Sequence, residues 1–196
     1  MKYIWIPILL IFIYVYLNYK RWLKTYHINK AGKIGERTSY KVLKKICKKK
    51  GYKIFKNIRI PLYDGSTEID LLIVTSYGIL VIENKNLSGN VFGKIHDKNW
   101  YQIKRSGEKK NFYNPIMQNE GHIKCLKYNL LKMGINNVSV LSFVVFSNNE
   151  CQVNVIDNRI MKLPEMARWL NNKKMNNSHK INIKKISDII REMKIN

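Results

Sequence analysis

The segment EIDLLIVTSYGILVIENK, residues 68–85, holds two aliphatic runs separated by SYG, a spacing that closes a tight antiparallel hairpin. Runs this apolar belong in the middle of a sheet, which demands neighbouring strands and cover on its faces. Yet Asp70, Glu83 and Lys85 sit among the aliphatic side chains. Strand residues alternate between faces, so Glu68, Asp70, Leu72 and Val74 share one side, and Ile69, Leu71 and Ile73 the other. On the next strand Ile79, Val81, Glu83 and Lys85 line up together, and a turn at SYG sets Asp70 nearly opposite Glu83.

The flanking sequence supplies the rest of a fold. Ile34, Val42, Leu43, Ile46 and Cys47 predict a helix over residues 33–50, with Gly51 as its stop. A strand over 53–60, the Asp64-Gly65 turn signal and the hairpin make a three-strand meander. Residues 86–113 read as a second hairpin carrying Trp100, Tyr101 and Ile103, with RSGEKK as its polar turn. Asn114 caps a helix that begins at Pro115, shows Ile116, Ile123, Leu126 and Leu130 on one stripe, and stops at Gly134. Residues 138–147, VSVLSFVVFS, read as a strand buried on both faces. A short helix near 164–170, the polar linker NNKKMNNSHK and a final amphipathic helix with Ile183, Ile186, Ile189 and Ile190 follow. This order predicts an α/β fold with a mixed central sheet flanked by helices. At 196 residues the chain holds one globular unit and a short appendage.

The appendage lies in front. Residues 3–19, YIWIPILLIFIYVYLNY, carry no charge, with Lys2 before them and Lys20, Arg21 and Lys24 after. Such a helix, rising about 1.5 Å per residue, just reaches across a thin hydrocarbon core. Tyr3, Trp5, Tyr14, Tyr16, Tyr19 and Trp22 crowd its ends, where amphipathic rings favour the headgroup level. No small-x-small cleavage site follows, which argues against a signal peptide. The expectation is an N-terminal transmembrane anchor within residues 1–24, single-pass in the cell membrane. The heavier cation cluster after it places the C-terminal part in the cytoplasm.

The formal charge of +23 suits a phosphate backbone or an anionic membrane surface. The abundance of Lys, Ile and Asn also fits a drift toward AT-rich codons, so charge permits nucleic-acid binding without establishing it. Cys47, Cys125 and Cys151 form no CxxC pair and no even set, which leaves reduced, buried thiols rather than a disulfide framework or a zinc site.

Two carboxylates brought to one point repel and are costly to desolvate, so Asp70 and Glu83 suggest a bound cation, Mg2+ or Mn2+ by the oxygen character of the donors. Lys85 on the same face would point at whatever anion that cation holds, an arrangement suited to phosphodiester hydrolysis. The same residues also fit an edge-strand ion pair between Glu83 and Lys85 with Asp70 solvated. Glu36 shares a helix stripe with Tyr40, Leu43 and Cys47, aiming it at the sheet, although a first-turn acid also complements the helix dipole. Gln118 in the first turn of the Asn114-capped helix fits a hydrogen bond to a phosphate oxygen or water, or a surface amide. His122, one turn on, reads either as a phosphate ligand or as plain packing.

GKIGE at 32–36, TEIDLLIV at 67–74, GILVIENKNLSG at 78–89, a lone Trp100 and NPIMQNEGHIKCL at 114–126 together resemble the NERD (nuclease-related) domain of the PD-(D/E)xK, restriction-endonuclease-like superfamily. The likeness covers residues 31–147, with 148–196 as an extension whose two helices pack on the domain. It implies Glu36 as the helix acid, Asp70 and Glu83 as metal ligands, Lys85 as the catalytic lysine, and Gln118 as a further site residue. The implied function is a membrane-anchored, Mg2+-dependent nuclease acting on DNA. The alternative is a non-catalytic DNA-binding or membrane-tethering module on the same fold. Asn84 departs from the pattern, being polar where similar sequences carry an aliphatic residue or Thr.

Overall fold

The computed structural model describes residues 5–62, 64–172 and 181–195. Its first element, α1 (Trp5–Lys50), is one helix of 46 residues. The sequence pattern divides this stretch into helices over 3–19 and 33–50. They join because no proline or turn dipeptide separates them.

The chain divides into two compact units, one ending at Ile34 and one beginning at Gly35. Within the first, Leu9 to Leu17 are all exposed, and the rings of Tyr19, Trp22 and Tyr26 stack at 6.2 and 5.7 Å. The transmembrane expectation finds no support here: among the described residues no helix is long and apolar enough to cross a membrane. The apolar run stops at Leu17 and continues into Asn18, Lys20 and Arg21, so any window of spanning length takes in polar and charged side chains. Tyr3 and Ile4 of that run lie outside the described residues.

The second unit opens with the rest of α1. Then come β1 (Lys53–Pro61), β2 (Ser66–Thr75), β3 (Gly78–Lys85), β4 (Gly89–Phe92), β5 (Asn99–Ile103), β6 (Lys109–Tyr113) and α2 (Pro115–Lys132). β7 (Val140–Phe146), β8 (Cys151–Asn154), β9 (Ile160–Lys162), α3 (Leu163–Asn172) and α4 (Ile183–Met193) complete it. Of the polar linker before α4, residues 173–180 lie outside the described residues.

The main sheet has the order β1-β2-β3-β7-β9. The meander is antiparallel, while β7 runs parallel to β3, with α2 in the crossover that parallel pairing requires, and β9 runs parallel to β7 after a connection that contains β8. On one face Leu126 and Leu130 of α2 and Ile186 and Ile190 of α4 pack with Ile58, Leu72 and Val81. On the other, Leu43 and Cys47 of α1 and Met166 and Leu170 of α3 pack with Leu71, Ile73, Leu80 and Ile82. Helices on both faces explain why the hairpin is apolar from Leu71 to Val74 and from Ile79 to Ile82.

The second sheet, β6-β5-β4-β8, goes beyond the single hairpin expected around Trp100. β4 precedes that hairpin, and β8 joins it in parallel from far along the chain. Trp100 is fully buried with Val91, Ile116 and Phe146, and its Nε1 donates to the Lys94 carbonyl at 2.8 Å. A Cβ on Gly93 would fall 2.3 Å from the indole, so this glycine is what lets the ring lie against the backbone.

Candidate active site

The site begins with a break in strand pairing. β1 and β2 pair Lys56 with Leu71 and then Ile58 with Ile69, so Asn57 and Asp70 face each other without a ladder bond. Asn57 has φ 48°, in the left-handed region that Asn tolerates better than other residues with a side chain. Side-chain alternation resets there. Ile69 packs with Leu72 and Val74, not with Leu71 and Ile73, which corrects the face assignment made from strict alternation. Asp70 sits at the reset, and its Oδ2 accepts the backbone N–H of Asn84 at 2.8 Å.

β3 supplies the next two groups. Glu83 is only 2% exposed. Its Oε1 accepts from Lys85 Nζ at 2.6 Å, and the same ammonium donates to Gln118 Oε1 at 3.0 Å. Glu83 Oε2 faces His122 Nε2 at 3.3 Å, a separation without hydrogen-bond alignment, and neither atom has another partner. His122 Nδ1 shares a 2.7 Å hydrogen bond with the Thr67 hydroxyl. Gln118 and His122 are one turn apart on α2, started by the Asn114 cap, whose Oδ1 accepts from Ile116 N at 2.9 Å. Leu62, Thr67, Tyr113, Met117, Gln118, Gly121 and His122 line a cavity of about 310 Å3 beside them.

Glu36 arrives through close helix–sheet contact. A Cβ on Gly35 would fall 2.4 Å from the Asn86 Cβ and 2.7 Å from the Ser147 hydroxyl, so only glycine lets α1 come this near. Glu36 Oε2 then accepts from Asn57 Nδ2 at 2.9 Å. The same amide donates to Glu68 at 3.2 Å, which Arg59 also holds at 3.1 Å. The unusual Asn84 has its own explanation. Its Oδ1 accepts from Ser39 of α1 at 2.6 Å and its Nδ2 donates to Ser147 beyond β7 at 3.3 Å, so it ties three elements together behind the site.

The two carboxyls are driven apart electrostatically. Burial first, then the negative charges of Glu83 and Glu36, push Asp70 up to about 7 despite the Asn84 N–H and Lys85. Burial would also raise Glu83, but His122 and Lys85 together hold it below the ordinary carboxylate range. The two carboxyls thus differ in proton affinity because their neighbours differ: Asp70 faces burial and negative charge, while Glu83 has Lys85 and His122 beside it.

Among the described residues no three His, Cys, Asp or Glu side chains form a metal cage. Two hard carboxylates suffice for Mg2+, which usually keeps water and takes one or two protein oxygens together with substrate phosphate. The residues fit such an ion on two counts. Glu83 Oε2 is buried without a hydrogen bond, and the proton affinity of Asp70 is raised by a neighbouring negative charge that a cation would offset.

The structure thus brings Asp70, Glu83, Lys85 and Gln118 to one point, with Glu36 acting on it through its field and through Asn57. Sequence reasoning passed over Asn57 and Thr67 and left His122 undecided. The i, i+4 spacing of Gln118 and His122 was the available signal for the histidine. A left-handed Asn has none.

A mixed sheet under helices, with paired carboxylates and a lysine at the open end of its central hairpin, defines a nuclease-like architecture. The chain belongs to the nuclease-related domain family (NERD), whose model matches residues 31–147. It is also 32% identical over 120 residues to an uncharacterized protein of Bacillus anthracis, a match covering 60% of this chain and 55% of that protein. The chain therefore spans about half the length of that curated relative.

Proposed function

We propose that this protein is a membrane-associated, Mg2+- or Mn2+-dependent nuclease of restriction-endonuclease-like fold that hydrolyses phosphodiester bonds, of DNA in the first instance. The observation that carries the reading is the Lys85 ammonium, held between Glu83 and Gln118 beside a buried carboxylate oxygen without a hydrogen bond.

Asp70 and Glu83 would hold the ion, which when bound polarises phosphate and lowers the pKa of water. Lys85 donates toward the scissile phosphate or the attacking water and offsets the negative charge that develops. Gln118 and Glu83 together fix the direction of that ammonium. Glu36, anchored by Asn57, adds negative potential that favours a cation over a free carboxylate pair. The basic surface holds the backbone of the nucleic acid.

Membrane association rests on the exposed apolar side chains of the first part of α1, on the aromatic rings near it and on the basic residues that follow. It implies a cell-membrane location with the C-terminal unit in the cytoplasm. Sedimentation with membranes after a salt wash tests it, and recovery in the soluble fraction counts against it.

The nuclease reading is tested by incubating plasmid and single-stranded DNA with the protein in Mg2+, Mn2+ or EDTA, beside Asp70→Ala and Lys85→Ala. Metal-dependent cutting, lost in both variants by about a hundredfold or more, is expected. No cutting, with salt-sensitive binding retained by wild type and variants alike, makes the protein a tether on a nuclease fold.

A further inference from the structure

The second sheet has one buried face and one open face. Trp100 and Gln102 of β5 and Val91 of β4 point inward and are buried. The alternate residues form rows across the open side. In the row nearest α2, Tyr113 of β6 stands opposite Asn99 of β5. In the next, Asn111, Tyr101, Phe92 and Asn154 lie side by side on β6, β5, β4 and β8. Phe92 and Tyr101 stack at 5.2 Å with their planes 19° apart, and the Lys109 ammonium lies 4.1 Å over the Tyr101 ring. These rows hold aromatic rings and primary amides with no carboxylate among them.

Charge and position select the occupant. In the strands and loops that frame this face, Lys94, Lys98, Lys104, Arg105, Lys109 and Lys110 outnumber Asp97, Glu108 and Glu150; Glu108 pairs with Lys104 and Glu150 with Arg105, which leaves Lys94, Lys98, Lys109 and Lys110 to carry the excess. Tyr113 is 46% exposed, and it also lines the cavity that contains Gln118 and His122, the residues that touch Lys85 and Glu83. The open face therefore runs into the candidate active site across a single tyrosine. The exposed ring of Tyr113 and the half-buried rings of Phe92 and Tyr101 offer a surface that any unpaired base can stack on, amides hydrogen-bond base edges, and surrounding lysines hold phosphates. A duplex keeps its base faces covered and gains only the last of these.

The geometry points to the open face of the second sheet as a platform for single-stranded nucleic acid, which leads an unpaired strand over Tyr113 to Glu83 and Lys85. This names the substrate form for the nuclease proposed above and rests on that reading for its catalytic consequence, but not for binding.

The test is fluorescence anisotropy with the full chain in EDTA, using labelled oligothymidylate, oligouridylate and duplexes of the same length. Single strands of either backbone are expected to bind more tightly than the matching duplexes. Tyr113→Ala and the exposed Asn111→Glu should weaken single-strand binding about tenfold, the scale of one lost base-stacking contact. Asn137→Glu, the same charge change on an exposed loop after α2, should leave it unchanged, with circular dichroism reporting intact folding for all three. Duplex binding as tight as single-strand binding, or equal affinities for Asn111→Glu and Asn137→Glu, overturns the platform. Metal-dependent cutting that needs Lys85 but ignores these variants would leave the nuclease standing without the platform. Single-strand binding lost in Asn111→Glu, from a protein that never cuts, would leave the platform without the nuclease.

Discussion

Asp70 and Glu83 make opposite demands on pH. Asp70 moves from an ordinary 3.8 up to about 7 on folding, so the folded chain holds that proton more tightly than the unfolded one. Its contribution to stability is fully present below its unfolded value and is lost as pH rises through about 7. Without metal, the melting temperature of wild type should fall more steeply between about pH 5 and pH 8 than that of Asp70→Asn. Adding Mg2+ at the upper pH should restore wild type and leave the variant unmoved, by roughly 3 kcal/mol at a hundredfold excess over Kd. Equal pH slopes in the two proteins would show that the pair does not repel as described. Glu83 is depressed, so its contribution is present above the ordinary carboxylate range and lost as pH falls. Glu83→Gln should be about 1–3 kcal/mol less stable at neutral pH, with the gap closing in acid. At Asn57, replacement by Ala should cost about 1–2 kcal/mol in chemical denaturation because of its left-handed backbone. Gly, which adopts that conformation freely, should restore the backbone share of the loss.

The elements meet through small residues and one amide network. Gly35→Ala would press a methyl into Asn86 and Ser147, at a cost of about 1–3 kcal/mol, and should weaken metal-dependent activity because Glu36 follows directly in the chain. Asn84→Ala, which breaks the links to Ser39 and Ser147, should cost about as much and is checked by the same denaturation curves. Much of this was legible in sequence. β3 runs from Gly78 to Lys85 as its pattern predicts, Asn114 caps α2, and a hairpin turning at SYG sets Asp70 beside Glu83. What escaped was non-local. β8 and β9 are four and three residues long, too short for periodicity to register, and they exist because parallel partners are already in place. The reset at Asp70 depends on a backbone conformation across the ladder at Asn57. The division of residues 3–50 into two helices failed because a helix persists wherever nothing interrupts it.

For the molecule as a whole, the nucleic-acid binding proposed above, if carried by the charge of +23, weakens linearly in logarithmic salt, whatever the outcome for catalysis. A flat salt response would remove the phosphate backbone as a partner. The three cysteines are buried and free, with burial pushing Cys47 up to about 12 and Cys151 up to about 11, so both should resist alkylation at neutral pH until the protein unfolds. The segment that matches the family ends at residue 147, but the sheets do not. β9 closes the far side of the main sheet and β8 the far side of the second, and both come later in the chain. A chain cut at the family boundary would show two raw strand margins to its neighbours, each with unspent backbone donors and acceptors. Such a fragment should associate and precipitate on expression, so the unit of inheritance in this protein is shorter than the unit of solubility.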